Sequence, residues 1–314
     1  RREPQIYKPT ADFYLLLDWR KVFSEANVGH LPASISRVLL KIVCKKVVNE
    51  HSFDFSQIQS LTASKSFGQD YFASINGSWF SDVCAWGKGM YPVYKPDSYI
   101  EHFSCFTDED WKTNIEYIEK NEGWKRDPIQ IEHFGWLNRY VGLQSGGSHH
   151  TALVIAQMVS QDRTYTRNAI VTYLEANGSA LNAISDNYYI FVTGHLVYDG
   201  ETAQDTNIGI FVQKFLGYNV STIQLNKSEN PAVAVFIPKT EINYEHRDIF
   251  EAWLEGQRKR KCLICLEYLI SETYKYCTEP YLHELNNITL GDPFRTNDKA
   301  LIELIQERND SFEN

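Results

Sequence analysis

The sequence lacks long apolar runs, an excess of basic residues and a regular cysteine spacing. No run reaches the roughly 18 apolar residues that a membrane-spanning helix needs, so we expect no membrane span. The net charge of −9 disfavours general affinity for nucleic acid or anionic lipid. The 6 cysteines follow no disulfide framework and are typical of reduced thiols, which predicts a cytoplasmic protein. Scattered N-x-S/T sequons leave secretion open as an alternative.

The composition is that of an ordinary globular protein with many aromatic residues. Its 314 residues suffice for one large or two modest domains, and 43% of them are hydrophobic and 23% charged. Aromatic residues reach 14%, with 19 Tyr and 17 Phe. This richness indicates a strand-rich core or large contact surfaces, and composition alone does not choose between the two.

Segments on both sides of the centre of the chain have recognisable patterns. Residues 34–49 carry apolar side chains at helical spacing behind Ser34, which predicts a helix. Residues 221–225 and 232–238 flank the turn residues NKSENP, and this pattern predicts a pair of strands. A further helix is predicted over residues 245–270.

The centre of the chain alternates helices and strands in a fixed order. Thr107-Asp-Glu-Asp110 resembles a capping box, and it opens a predicted helix over residues 108–121. Predicted strands follow at residues 128–134 and 139–144, and an apolar helix is expected over residues 150–160. The stretch SGGSHH is therefore the turn between the second of these strands and the apolar helix.

A glycine-rich turn before a helix is a suitable place for an anion. The first amides of a helix have no intrahelical partner, the helix dipole adds positive charge there, and glycines allow a ligand to approach the backbone. The alternative is structural: Ser148 would cap the helix, and His149 and His150 would be ordinary residues. Metal binding by the two histidines is disfavoured, because neighbouring residues on a helix do not face each other.

The order and spacing of these segments resemble the ParB/sulfiredoxin superfamily. In that superfamily a helix and a G-x-x-x-P-I-x-V segment lead into a strand, and the next strand ends in GG-x-H-R-x-A-A or G-x-H-R. The matching text here is IEYIEKNEGWKRDPIQIEHFGWLNRYVGLQSGGSHHTALVIAQ. The resemblance covers residues 108–160, about a sixth of the chain.

The resemblance implies that the glycine-rich turn binds the phosphates of ATP or CTP. Gly146 and Gly147 would then offer backbone amides, Ser148 and Thr151 would offer hydroxyls, and His149 would match the family histidine. The resemblance thus makes the turn a nucleotide site.

Three further residues are candidates for chemistry around a bound phosphate. Lys125 and Arg126 lie in the linker before the first predicted strand and would neutralise phosphate charge; the alternative is a solvated pair of loop cations. Glu132 lies on the strand face opposite Ile129 and Ile131, where it would act as a general base or a magnesium ligand. The alternative for Glu132 is that its side chain simply faces water.

The sequence departs from the family pattern at two positions of the turn. His150 replaces the usual arginine, so nucleotide affinity is expected to be weak or pH-dependent, because neutral histidine grips phosphate less well. Ser148 stands where sulfiredoxin has its catalytic cysteine, which argues against peroxiredoxin repair. No arginine-rich ParB box or helix-turn-helix is recognisable, which argues against chromosome partitioning.

We therefore expect an α+β fold with a ParB/sulfiredoxin-like mixed sheet in residues 101–215. Residues 1–100 would form an N-terminal elaboration, and residues 216–314 a C-terminal strand pair and helices. The leading hypothesis is a phosphoryl-transfer enzyme, an ATPase or kinase, that uses ATP or another nucleoside triphosphate with Mg²⁺ and stabilises the transferring charge with His149 or His150. The alternatives are a non-catalytic protein-interaction module on the same fold, and a nuclease, which the acidic charge disfavours.

Overall fold

The structure is a computed structural model, and its described residues form two compact units. The first unit contains the described residues up to Cys44 and from Glu175 onward, and the second runs from Lys45 to Leu174. In the described ranges, no helix combines the length and the apolar composition that crossing a membrane requires. The described residues are 5–6, 18–25, 31–61, 83–84, 87, 104–121, 123–144, 146–193, 196–197, 220–225, 233–260 and 263–273.

The first described elements are a short strand and two short helices of the first unit. These are β1 (Gln5–Ile6), α1 (Trp19–Glu25) and α2 (Ala33–Leu39). The predicted helix over residues 34–49 is wrong beyond Leu40, because Val43–Asp54 form strand β2. Valines at positions 43, 47 and 48 explain the change, since β-branched side chains lose rotamer freedom in a helix and fit a pleated strand.

The second unit is built on a mixed five-stranded sheet with the order β2-β6-β4-β5-β3. Strand β4 runs antiparallel to β5 and parallel to β6, and β3 runs parallel to β5. The α+β class and the mixed sheet are thus confirmed. Its remaining elements are β3 (Ile58–Leu61), α3 (Asp108–Glu116), a π-helical turn (Tyr117–Asn121), β4 (Ile129–Phe134), β5 (Arg139–Leu143), α4 (Ser148–Gln161) and β6 (Thr166–Ala176).

Helix α4 fills the core of the second unit. Its residues 152–156 are fully buried and pack with Ile129 and Ile131 of β4 and Val171 of β6. The predicted capping box is confirmed, since Thr107 and Asp110 exchange side-chain and backbone hydrogen bonds at the start of α3. The predicted helices and strands of the 108–160 region are all present, with ends within a few residues of those expected.

The rest of the first unit contains an antiparallel four-stranded sheet with the order β11-β7-β10-β9. The predicted pair of strands at residues 221–225 and 232–238 is confirmed as β9 and β10. The helix predicted over residues 245–270 is interrupted after Lys259, because Leu263–Cys265 form β11 against β7. These elements are α5 (Gly178–Ser185), β7 (Tyr188–Thr193), β8 (Leu196–Val197), β9 (Ser221–Gln224), β10 (Val233–Pro238), α6 (Tyr244–Lys259), β11 (Leu263–Cys265) and α7 (Leu266–Ser271).

Candidate functional site

The turn between β5 and α4 begins its helix with a glycine. Gly147 is the N-cap residue and adopts a left-handed conformation, with φ 69° and ψ 24°, and no side chain caps the helix. The structural alternative in which Ser148 caps α4 therefore does not apply, since Ser148 is the first helical residue. The left-handed conformation favours glycine, because a Cβ would meet the adjacent carbonyl. The start of α4 thus has no capping side chain, and both Gly147 and Ser148 are buried.

Thr151 holds the turn together through its hydroxyl group. The hydroxyl donates to the carbonyl oxygen of Gly147 at 2.8 Å and accepts a hydrogen bond from Trp124 Nε1, also at 2.8 Å. The residue is fully buried. The hydroxyl predicted to contact a phosphate is therefore engaged within the protein, where it ties the turn to the linker that precedes β4.

His150 is buried between α4 and α3. Its Nδ1 lies 2.8 Å from Asn114 Oδ1, and its ring stacks on Tyr117 with the centroids 3.8 Å apart. Asn114 Nδ2 donates to the carbonyl oxygen of Ser104, so the amide presents its oxygen to the histidine, and the hydrogen-bond network assigns the proton to Nδ1. His150 therefore joins α4 to the helical segment of α3 and Tyr117 through its buried ring.

The other turn residues differ in how far they are open to solvent. Ser148 is mostly buried, and its hydroxyl oxygen accepts a hydrogen bond from Gln144 Nε2 at 3.0 Å. Gly146 and His149 are half-buried. Among the described turn residues, Gly146 and His149 are therefore the most open to a ligand, although Nε2 of His149 is itself buried.

The linker before β4 contacts the turn directly. Gly123 has a φ of 78°, and a Cβ on it would lie only 2.6 Å from the carbonyl oxygen of Gly146. Lys125 and Arg126 follow at once and are exposed. Because consecutive Cα atoms are about 3.8 Å apart, Lys125 Cα lies within about 8 Å of Gly123 Cα. The structure thus brings these two cations to the neighbourhood of the turn.

Arg167 of β6 fixes the backbone of this linker. Its Nη2 donates to the carbonyl oxygens of Trp124 and Arg126, each at 3.2 Å. Asp127 is held beside it, because Asn168 Nδ2 donates to the carboxylate at 2.9 Å and Arg167 lies 4.0 Å away. Asp127 therefore has a positive partner, while the side chains of Lys125 and Arg126 remain exposed.

Glu132 is not brought to the turn. Ile129 and Ile131 point into the core that α4 fills, and the alternation of side chains along β4 directs Glu132 to the other face of the sheet. Its neighbours across the sheet are Val141 and Thr172. The candidate base and the candidate phosphate-binding turn thus lie on opposite faces of the sheet.

Sequence reasoning missed three residues that shape this region. Trp124 packs its ring edge-on against Phe55 and donates to Thr151, and Asn114 and Tyr117 hold His150. One signal was present in the sequence. Asn114 falls on the apolar stripe of the predicted helix, and a polar residue in such a stripe needs a buried hydrogen-bond partner.

No group of three or more potential metal ligands forms among the described residues. Comparison of the chain with protein-family models, with curated proteins and with solved structures finds no match. The site is therefore interpreted from its own geometry.

Proposed function

We propose that the second unit is a ParB/sulfiredoxin-like module that binds a nucleotide through its phosphates at the turn between β5 and α4. The contact between Gly123 and Gly146 carries the proposal, because it puts a two-cation loop beside a helix start that no side chain caps. The order of α3, linker, β4, β5, turn and α4 is also the order of the resembling superfamily. ATP or another nucleoside triphosphate, with Mg²⁺, is the expected ligand.

The charges of this region favour a phosphate. The first amides of a 14-residue helix carry partial positive charge, and Lys125 and Arg126 add two full positive charges nearby. Asp127 is offset by Arg167, so it weakens this field little. Arg126 would bind phosphate oxygens through its planar guanidinium, and Lys125 would act as a point charge.

The same geometry supports binding better than phosphoryl transfer. His150 and Thr151 make buried hydrogen bonds within the protein, and Glu132 lies across the sheet from the turn. Transfer needs a base or a water-positioning group close to the reacting phosphate. We therefore favour a non-catalytic nucleotide-binding module, while phosphoryl transfer with His149 as the charge-stabilising residue stays a prediction.

The proposal is tested by calorimetric titration of the full chain with ATP, CTP and GTP, with and without Mg²⁺. We expect binding to one of these nucleotides, weakened at least about tenfold in a Lys125→Ala/Arg126→Ala variant, since charge-assisted hydrogen bonds contribute that much. Lys112→Ala/Lys120→Ala is the matched control, because it removes two exposed cations from the helical segment before the linker. That control should bind within about twofold of the parent.

Two results would contradict the proposal. The absence of binding heat with all three nucleotides at millimolar concentration would rule out the nucleotide site. Equal losses of affinity in both double variants would show that binding depends only on the overall charge of the protein. Phosphorylated or hydrolysed product, abolished by Glu132→Gln, would instead restore the enzyme hypothesis. In that case His149→Ala should lower turnover more than affinity.

A further inference from the structure

A row of polar and aromatic side chains crosses the sheet of the second unit away from the turn. In the register of the sheet, His133 of β4 lies directly opposite Tyr140 of β5 and Tyr173 of β6. The His133 ring centroid is 4.4 Å from that of Tyr140 and 5.3 Å from that of Tyr173. The Tyr173 hydroxyl donates to Glu50 of β2 at 2.6 Å. We call these four residues the tyrosine row.

The tyrosine row lies at the margin of the core and is partly open to solvent. Each of its four residues is half-buried. The next side chains on the same sheet face, Ile131 and Val171, are fully buried in the core with α4. Phe53 of β2 adds an edge-on contact to Tyr140, with the centroids 5.5 Å apart. Among the described residues, the row is therefore a half-exposed aromatic margin of this core.

The tyrosine row carries a single negative charge. The hydrogen bond to Glu50, followed by burial, raises the pKa of Tyr173 far above its ordinary value, so its hydroxyl stays a donor. Burial lowers the pKa of His133, which therefore is mostly neutral at pH 7. The Glu50 carboxylate accepts from Tyr173, and no lysine or arginine in the described part of the chain forms an ion pair with it.

Two other Tyr–Glu pairs among the described residues have a cation from the chain itself. Tyr165 donates to Glu119 at 2.7 Å, and Arg167 Nη1 lies 3.1 Å from the Tyr165 hydroxyl and 3.8 Å from the carboxylate.

Tyr189 donates to Glu251 at 2.5 Å, and Lys239 Nζ lies over its ring, 5.3 Å from the centroid. Each of these two pairs thus combines a ring, a carboxylate and a cation. In the described ranges, the tyrosine row has the ring and the carboxylate without the cation.

We propose that the tyrosine row binds a guanidinium group, supplied by an arginine side chain of a partner or by a small guanidinium compound. A planar guanidinium stacks on an aromatic ring and forms two parallel hydrogen bonds with a carboxylate, whereas an ammonium is a compact, strongly hydrated charge. Within this chain, Arg167 shows that a guanidinium can sit beside such a pair: its Nη1 donates to the Tyr165 hydroxyl at 3.1 Å and lies 3.8 Å from the Glu119 carboxylate. This site is separate from the proposed nucleotide site.

The test is a titration of the full chain with three probes: L-arginine, the peptide acetyl-Gly-Arg-Gly-amide and its lysine counterpart. We expect the arginine peptide to bind more tightly than the lysine peptide. Glu50→Gln should weaken binding at least about tenfold, because it removes the charge while its amide oxygen still accepts from Tyr173. Glu119→Gln is the matched control, since Glu119 accepts the same kind of tyrosine hydrogen bond, and it should bind within about twofold of the parent.

The probes also distinguish the source of the guanidinium. Tighter binding of the peptide than of L-arginine assigns the site to a protein partner, and the reverse order assigns it to a small molecule; both results support a guanidinium site. Equal binding of the lysine peptide, no binding of any probe, or equal loss in Glu50→Gln and Glu119→Gln would overturn the proposal. Tyr173→Phe, which keeps the ring and frees the carboxylate, provides a second variant should Glu50→Gln fold poorly.

Discussion

The turn and the tyrosine row both contain histidine and hydroxyl groups, but they use them differently. At the turn, His150 and Thr151 are buried and their polar atoms hold neighbouring segments in place. In the row, His133 and Tyr173 are half-buried beside a carboxylate with no cation among the described residues. The presence of a histidine or a hydroxyl group therefore says little about ligand binding until the burial of its side chain is known. Polar groups that remain partly exposed can still bind a ligand.

The largest effect that separates the two regions is expected from His150→Ala. The substitution removes a buried ring stacked on Tyr117 and leaves Asn114 Oδ1 without its donor, so we expect a loss of about 2–4 kcal/mol in the free energy of unfolding. Urea denaturation measures this loss. The adjacent His149→Ala is the control, with an expected change within about 0.5 kcal/mol. Unchanged stability in His150→Ala together with lost nucleotide binding would make His150 a ligand.

A smaller effect is expected from Thr151→Val, which removes only the hydroxyl group. Trp124 Nε1 would then be buried without an acceptor, which costs about 1–3 kcal/mol. Thermal unfolding should show a lower midpoint for Thr151→Val and a nearly unchanged one for Thr151→Ser, which keeps the hydroxyl. Equal stability of the valine and parent proteins would show that the hydroxyl does not hold the turn.

The hydrogen bonds that Asp110 accepts at the start of α3 make the stability of the fold depend on pH in the acid range. Burial alone would raise the pKa of Asp110, but hydrogen bonds from Ser104, Thr107 and Phe106 outweigh it and lower the pKa below its ordinary value of 3.8. A lowered pKa in the folded state means that Asp110 stabilises the fold above that value. This contribution is lost as the pH falls further, through the folded-state pKa.

Asp110→Asn should therefore reduce stability at neutral pH by about 1 kcal/mol, because a neutral amide accepts these hydrogen bonds less strongly and removes a negative charge from the helix N-terminus. Below pH 3.8 the variant and the parent should converge. Denaturation midpoints measured from neutral pH to acid test the convergence. A constant difference over the whole range would contradict the assignment to the Asp110 carboxylate.

The smallest effect is expected from Glu50→Gln in the tyrosine row. The amide oxygen still accepts from Tyr173, and the carboxylate has no described ion pair to lose, so the free energy of unfolding should change by less than about 0.5 kcal/mol. Urea denaturation of the variant beside the parent checks this. A loss above about 2 kcal/mol would mean that Glu50 supports the fold like the turn residues.

Local patterns predicted much of the second unit. The capping box at Thr107 and the alternation at Ile129 and Ile131 each involve residues close in sequence, and the structure contains both elements. Residues 34–49 show where local reasoning fails. Their helical spacing extended past Leu40, yet β-branched valines and pairing with β6 favoured a strand.

The sequence by itself determined the order of helices and strands around the turn, because caps, glycines and apolar periodicity act over a few residues. Tertiary structure decided which polar groups remain open. It buried His150 against α3, engaged Thr151 with Trp124 and put Glu132 on the far face of the sheet. It also aligned Tyr140, His133 and Tyr173 across three strands. The physical reason is that burial and strand register depend on contacts between segments far apart in the chain, which no local pattern encodes.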